Sequence, residues 1–142
     1  MMMKRTNANQ RKWYQIDATN FILGKLAVMA ANILQGKNKK DFVRNQDCGD
    51  NLVITNAKKI KLSRNKAAKE FWYNHSGYVG GIRKRSGKVM IEKYADELIT
   101  TAVKGMLPKN KLAKKMIKKL HVFKEGIGDK FKQQKFEILG SK

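Results

Sequence analysis

The sequence predicts one α/β domain built on a largely parallel β-sheet. Apolar runs with strand character alternate along the chain with segments whose apolar residues recur at helical spacing, which is the pattern of α/β proteins. Hydrophobic residues make up 42% of the 142 residues, which is enough to bury a core. Neither an internal repeat nor a linker divides the chain, and its length suits one domain.

The first half of the chain predicts the order strand, helix, strand. Residues 13–17 (WYQID) combine aromatic and β-branched side chains, which favour a strand. Residues 22–35 place apolar side chains at helical spacing, and Gly36 follows where a left-handed C-terminal cap belongs. Residues 52–55 (LVIT) form a continuous apolar run, typical of a strand covered on both faces, and residues 60–62 indicate a further short strand. We therefore expect a sheet with helices on both sides.

The second half of the chain is more helical. After a mixed signal over residues 65–73, Ser86 is placed to cap a helix, and apolar residues at helical spacing continue almost to Pro108. The proline holds the residue before it extended, so that a basic helix begins near Asn110. Residues 121–123 are predicted to form the last strand.

These elements divide the chain into three segments. Residues 1–12 are polar and basic with little to bury, which predicts a mobile N-terminal arm. Residues 13–125 form the single α/β domain that carries the binding function. Residues 126–142 are expected to be an irregular C-terminal tail.

The charge of the chain predicts a polyanionic partner. The sequence contains 32 Lys and Arg against 11 Asp and Glu, which gives a formal net charge of +21 and a pI near 10.2. Such a surface attracts phosphate backbones. A compact protein with this charge repels itself unless counter-ions or an anionic partner neutralise it, so the partner is expected to contribute to stability.

Several classes of protein are excluded by composition. Cys48 is the only cysteine, so no intramolecular disulfide can form, and the cytosol is the expected compartment. With two histidines beside it, the ligand set for a closed zinc site is incomplete, and we expect neither a metal nor a cofactor. We also expect no membrane span, no secretory signal and no small-molecule substrate.

The basic helix has two distinct sides. At about 100° per residue, apolar side chains fall on one arc and lysines fill the opposite one. Its like charges at i and i+4 repel without a neighbouring acid, which favours anion binding over an ordinary solvated face. The lysines on this arc are Lys111, Lys114, Lys115, Lys118 and Lys119.

Two further segments are candidates for phosphate contact. The first follows the C-terminal cap of the first helix and contains Lys37, Lys39 and Lys40. The second is a glycine-rich loop whose backbone N–H groups can approach phosphate closely, and whose aromatic neighbours can stack on unpaired bases. A plain turn is the alternative for this loop, but the adjacent cations favour RNA. The loop spans residues 75–81, and the cations are Arg83, Lys84 and Arg85.

Catalytic alternatives find weaker support in the residues. The segment 81–89 (GIRKRSGKV) resembles a phosphate-binding P-loop, but its glycine spacing is one residue too long and Val89 replaces the hydroxyl that would bind a metal. Asp47 and Asp50 could hold Mg²⁺ in a nuclease, although such carboxylates more often satisfy the backbone of their own turn. Cys48 and His75 could form a nucleophile and base, a pair that occurs often by chance.

Six motifs in order make the chain similar to a known family. They are WYxIDA at residues 13–18, LGKLA at 23–27, GK at 36–37, NA at 56–57, HSGYxGG at 75–81 and KGMLPKN at 104–110. Together they resemble the bacterial large-subunit ribosomal protein L-thirteen family over residues 13–123. HSGYxGG and KGMLPKN, at this separation in a chain of this size, are the most specific.

The resemblance implies a three-layer α/β/α domain with a mainly parallel four-stranded sheet. It further implies binding to large-subunit (23S-type) rRNA beside neighbouring large-subunit proteins, a part early in subunit assembly, and no catalysis. Carried over by position, the RNA-facing residues lie in the glycine loop and at the entry to the basic helix. They are His75, Gly77, Tyr78, Gly80, Gly81, Lys104, Lys109 and Asn110.

We therefore predict a structural, rRNA-binding constituent of the large ribosomal subunit in the cytoplasm. Two alternatives stay open at this point. One is a Mg²⁺-dependent nuclease that uses Asp47 and Asp50, and the other is an architectural protein that coats DNA.

Overall fold

A four-stranded parallel sheet flanked by helices forms the body of the protein, as predicted. The computed structural model describes residues 11–132 and 137–139. The strands of the sheet are β1 (Trp13–Asp17), β2 (Asn51–Thr55), β5 (Leu120–Val122) and β6 (Glu137–Leu139), in the order β5-β2-β1-β6. All three pairings are parallel.

Five α-helices, two single-turn 3₁₀ helices (Ala57–Lys59 and Asp129–Phe131) and a separate hairpin complete the described part of the chain. The α-helices are α1 (Leu23–Gln35), α2 (Lys66–Lys69), α3 (Gly87–Lys93), α4 (Ala95–Met106) and α5 (Lys111–Ile117). The hairpin consists of β3 (Phe71–His75) and β4 (Ile82–Ser86), which pair antiparallel and form a two-stranded sheet of their own. None of the described helices is long and apolar enough to cross a membrane.

The core lies between the two central strands and helices α1 and α4. The β2 run is buried over Leu52–Thr55, as expected for a parallel strand covered on both faces. Helix α1 contributes its apolar side, including Leu26 and Leu34, and α4 contributes Leu98 and Val103. These side chains are fully buried, and together they fix the sheet on which the charged surfaces are mounted.

Both predicted helix caps are present. Gly36 ends α1 in the left-handed conformation, with φ +78°, and its N–H donates to the Asn32 and Ile33 carbonyls. A Cβ at this position would lie 2.6 Å from the Cys48 carbonyl oxygen, so glycine is needed for space as well. The Ser86 hydroxyl accepts a hydrogen bond from the Val89 N–H at the start of α3.

The structure differs from the sequence prediction in three places. The β3–β4 hairpin was not predicted, because the sequence signal over residues 65–73 was mixed. The short strand expected over residues 60–62 is reduced to a single bridge between Ile22 and Lys61. The tail after Gly126, expected to be irregular, supplies β6, which pairs with β1 as an edge strand. Residues 1–10 of the predicted arm lie outside the described residues.

Candidate nucleic-acid interface

The basic helix forms one wall of a groove that we call the lysine groove. Helix α5 begins after Asn110, whose side-chain Oδ1 accepts a hydrogen bond from the Ala113 N–H at 3.0 Å. Leu107 is extended, as predicted from the proline after it. The groove encloses about 690 Å³ and is lined by Lys104, Pro108, Lys109, Asn110, Lys111, Ala113, Lys114, Ile117 and Lys118.

Five lysines give this groove its charge. Lys104 comes from the end of α4 and Lys109 from the turn between α4 and α5. Lys111, Lys114 and Lys118 are spaced i, i+3 and i+7, which places them along one side of α5. All five are exposed, and within the described ranges none of them forms an ion pair. Their positive charge is therefore uncompensated by nearby carboxylates.

The opposite side of α5 packs on the core, as its apolar arc predicted. Met116 is buried, and Leu112 is partly buried against the same cluster. Lys115 is exposed but does not line the groove. The packed helix thus fixes the backbone positions from which the lysine side chains project, which lowers part of the entropy lost when they bind an anion.

A second cavity extends the lysine groove toward the C-terminal end of α1. The two share Pro108 and Asn110, and the second cavity is lined by Lys37 and Arg44 together with apolar side chains. The structure thereby brings Lys37 next to the predicted basic helix, which is distant from it in sequence. Arg44 was not among the predicted residues, although it lies in the same basic segment as Lys37.

The other two lysines of that segment are placed differently. Lys39 Nζ lies 2.8 Å from Asp50 Oδ1, and the Asp50 side chain is fully buried. The Lys39 charge is therefore directed into the protein. Lys40 is exposed but lines neither cavity.

The predicted glycine loop is the tip of the β3–β4 hairpin. Gly77 and Gly80 have positive φ values of +86° and +73°, with open space around them, so only their backbone conformation requires glycine. At Gly81 a Cβ would lie 2.9 Å from the Tyr78 carbonyl oxygen, a backbone atom of the same turn, as well as 2.0 Å from the Ser76 hydroxyl oxygen, so the tight turn favours glycine there. Tyr78 is 79% exposed at this tip.

Hydrogen bonds hold the loop in shape. The Gly77 N–H donates to His75 Nδ1 at 2.9 Å, and the Ser76 N–H donates to the Gly81 carbonyl at 3.1 Å. Because His75 Nδ1 accepts, Nε2 is the ring nitrogen left to donate to a ligand. The predicted loop residues are thus brought together on one exposed turn.

The three cations after the loop have different environments. Arg83 is exposed and forms no ion pair in the described part of the chain. Lys84 Nζ lies 3.8 Å from the centre of the Phe71 ring. Arg85 is partly buried, with its guanidinium 3.8 Å from the Tyr94 ring centre and 3.1 Å from Glu97. Arg85 therefore joins the hairpin to α4 and is the least available of the three.

Asp47 and Asp50 are neutralised by cations of the protein itself. Asp47 forms an ion pair with Lys119 and another with Arg11 at 3.3 Å. Asp50 binds Lys39 and accepts a hydrogen bond from the Lys12 N–H at 3.0 Å. The described residues also contain no group of metal-ligating side chains that could hold an ion. This arrangement stabilises the fold and leaves no oxygen pair free to bind Mg²⁺ together.

The prediction for the basic helix was wrong about the position of Lys119. It was placed on the charged outer arc, but only 6% of it is exposed and its Nζ pairs with Asp47. Burial lowers the pKa of Lys119, and Asp47 opposes that effect. The helix ends at Ile117, so the angular spacing of the helix no longer applies at residue 119.

Cys48 and His75 do not form a catalytic pair. Cys48 is buried, and the carbonyl of Val43 lies 3.9 Å from its sulfur. His75 is exposed on the hairpin and bonds within its own loop. The nucleophile and base proposed from sequence are therefore on separate parts of the molecule.

Comparison with known proteins identifies one family. Residues 11–127 match the family model described as Ribosomal protein L13. The large ribosomal subunit protein uL13 of Malacoplasma penetrans is 59% identical over 128 residues, which cover 90% of this chain and 88% of that protein. The uL13 of Mycoplasma genitalium is 54% identical over 124 residues, covering 87% and 85%. The uL13 of Levilactobacillus brevis is 44% identical over 137 residues, covering 96% and 92%.

Proposed function

Because the chain belongs to the ribosomal protein L13 family, we propose that it binds and stabilises large-subunit (23S-type) rRNA and acts early in subunit assembly. The family is structural and non-enzymatic, and its members are proteins of the large ribosomal subunit. The proposed partners are accordingly rRNA and neighbouring large-subunit proteins, and the proposed location is the large subunit in the cytoplasm.

The observation that carries the rRNA proposal is the lysine groove. Five exposed ammonium groups, which form no ion pair with any described residue, converge there from two helices and the turn between them. A groove of this kind suits the phosphodiester backbone of an RNA strand, because its ammonium groups attract phosphates. The second cavity lengthens the binding path with Lys37 and Arg44.

The glycine loop supports a second contact with the same RNA. Gly77 and Gly80 expose backbone at the tip of the hairpin, and His75 offers its Nε2 donor. Helix α4 connects the two surfaces, since its residues Thr100 and Thr101 line the space beside the hairpin while Lys104 lines the lysine groove. The protein would hold two RNA segments at a fixed separation, which is how a protein that makes no chemical change can organise a junction of helices.

A salt titration of matched variants tests the groove. We compare the triple variant Lys111→Gln, Lys114→Gln, Lys118→Gln with wild type on a large-subunit rRNA fragment. Glutamine preserves helix propensity while three charges are lost. Each phosphate contact contributes about 0.7 to 0.9 to the slope of log affinity against log salt, so the slope should flatten by roughly two to three.

A control variant removes the same number of charges elsewhere. Lys25→Gln, Lys88→Gln and Lys130→Gln change exposed lysines on other elements. This control should keep most of the wild-type slope, and circular dichroism should show an unchanged fold for both variants. An identical slope for the groove variant and wild type would show that the groove faces solvent.

A comparison of rRNA with duplex DNA tests the alternative function of coating DNA. An architectural DNA-coating protein would bind duplex DNA and structured rRNA with equal affinity at the same salt concentration. We expect a clear preference for the rRNA fragment. Equal affinities would replace the proposed function with general coating of nucleic acid.

A further inference from the structure

The β3–β4 hairpin has an outer face that the described residues leave uncovered. In an antiparallel pair, residues directly opposite each other point to the same side of the sheet. The register pairs Tyr73 with Lys84 and His75 with Ile82, and Phe71 precedes Tyr73 by two residues on the same side. These five side chains therefore share one face. Tyr73 is 67% exposed and Ile82 is 66% exposed.

The inner face of the hairpin is occupied by the protein itself. Trp72 pairs with Arg85 across the strands and is partly buried against the core. The Arg85 guanidinium lies over the Tyr94 ring and binds Glu97. The hairpin is thus fixed on one side, which leaves its outer aromatic face rigid and available.

Charge selects the class of ligand for this face. Residues 71–86 contain no Asp or Glu, and Lys84 lies among the aromatic side chains of the outer face, with its Nζ 3.8 Å from the Phe71 ring centre. A protein partner would have to bury this cation and supply a carboxylate for it. An unpaired nucleotide matches both the aromatic rings and the cation of this face, because its base can stack on a ring while its phosphate pairs with the cation.

From this arrangement we propose that the outer face of the hairpin is a stacking surface for unpaired bases of the bound RNA. The proposal rests on the proposed function and specifies which RNA this surface takes. Rings at positions 71, 73 and 75 are spaced about 6.8 Å apart along the strand, at ~3.4 Å per residue. Successive nucleotides in a stacked duplex strand advance only about 3.4 Å, so bases on successive rings must be splayed apart.

This surface therefore selects loops, bulges or single strands over continuous duplex. Such unstacked bases are the features by which RNA is most often recognised. The lysine groove binds phosphate regardless of base pairing, whereas the hairpin adds a preference for unpaired nucleotides. Tyr73 is 67% exposed, against 42% for Phe71, and it is the ring of this face that the register places directly opposite a cation, Lys84.

Substitutions at Tyr73 test the stacking surface. Tyr73→Ala should weaken binding to a large-subunit rRNA fragment about 5-fold to 150-fold, the usual effect of losing one stacked base. Because no charge changes, the salt slope should stay at the wild-type value. Tyr73→Phe keeps the ring and should bind like wild type. Val28→Ala removes another exposed apolar side chain, on α1, and serves as the matched control.

The outcomes distinguish this proposal from the proposed function. If wild type binds the rRNA fragment and Tyr73→Ala binds equally well at every salt concentration, the stacking surface is wrong and the rRNA function stands. If Tyr73→Ala keeps its affinity for rRNA but is lost from reconstituted large subunits, the face binds a protein, which also overturns the proposal. Failure of wild type to bind the fragment would overturn the proposed function itself.

Discussion

Buried charge concentrates around the segment Asp47–Asp50. Its two carboxylates form ion pairs with Arg11 near the N-terminus, with Lys39 in the loop after α1 and with Lys119 just after α5. A Cβ at Gly49 would lie 1.7 Å from the Leu34 carbonyl oxygen, so the segment packs directly on the backbone of α1. These ion pairs therefore connect distant parts of the chain, and the sequence alone could not distinguish them from a metal site or a self-satisfied turn.

Removing the Lys119 ammonium should destabilise the fold. In Lys119→Met the nearly buried Asp47 carboxylate keeps Arg11 as its one charged partner among the described residues, and breaking such a pair typically costs about 3 kcal/mol or more. Urea denaturation followed by circular dichroism measures this loss. The matched control Lys118→Met alters an exposed neighbour and should change stability by less than about 0.5 kcal/mol.

The double variant Asp47→Asn, Lys119→Met checks the cause. It removes both charges, so it should recover much of the stability lost by Lys119→Met alone. Equal losses in the single and double variants would show that packing, rather than the unpaired carboxylate, determines the cost.

His121 should make stability depend on pH. Its ring stacks on Trp13, with centroids 5.9 Å apart, and lies 4.7 Å from the Phe131 ring centre. Burial lowers the pKa of His121 below its ordinary value of 6.5. The unfolded chain therefore takes up the proton first as pH falls. Stability from the neutral ring is present above pH 6.5 and is lost as pH falls from 6.5 through the folded-state pKa.

Denaturation between about pH 8 and about pH 5 measures this dependence. One titrating group can contribute at most about 1.4 kcal/mol per pH unit, so the effect is bounded. His121→Phe keeps an aromatic ring and should remove this part of the slope. Hydrogen bonds from Thr19 lower the pKa of Asp17 below its ordinary value of 3.8. The stability that ionised Asp17 contributes is therefore lost only below pH 3.8, outside the range in which His121 is tested. A slope retained in His121→Phe would assign it to another group.

At the scale of elements, the predictable parts of the fold are those with strong local signals. Helix α1, with its apolar spacing and its glycine cap, was predicted within one residue at its start. The buried strand β2 was likewise evident from its continuous apolar run. In both segments, the pattern of apolar residues along the chain matches the burial of the segment in the fold.

The elements that were missed lack such a pattern. The strands β3 and β4 are mostly exposed, so no apolar alternation indicates a buried side. Strand β6 is three residues long and pairs only at the edge of the sheet. For the candidate interface, sequence identified the basic helix and the glycine loop, but the groove that joins Lys104 to α5 and the outer hairpin face depend on tertiary placement.

Helix α5 depends on Asn110 for its start. This residue was predicted to face RNA, and its side chain is engaged in capping the Ala113 N–H. Asn110→Ala should cost about 1 kcal/mol of stability through loss of the cap. Asn110→Asp keeps the cap and favours the helix dipole, so it should preserve stability.

Affinity for rRNA separates the two roles of Asn110. The aspartate variant places a negative charge at the edge of the lysine groove, so it should bind rRNA more weakly than wild type despite its intact fold. The alanine variant should retain the affinity of its folded fraction. Normal binding by Asn110→Asp would place this end of the groove away from RNA.

At the scale of the whole molecule, the net charge of +21 sets how the fold responds to its ionic surroundings. Exposed lysines of the groove repel one another, and salt screens that repulsion. The pair between Lys119 and Asp47 is nearly buried, and buried pairs are screened much less. The destabilising part of the electrostatics is therefore the part most sensitive to salt.

The protein should consequently become more stable as salt increases. Between about 50 and about 300 mM NaCl we expect the melting temperature to rise by about 4 °C, equivalent to roughly 1 kcal/mol for a chain of this size. The triple variant Lys111→Gln, Lys114→Gln, Lys118→Gln should melt higher at low salt and gain less from added salt. A melting temperature that falls with salt would mean that attractive ion pairs outweigh lysine repulsion, and that the free fold does not depend on an anionic partner for relief of its charge.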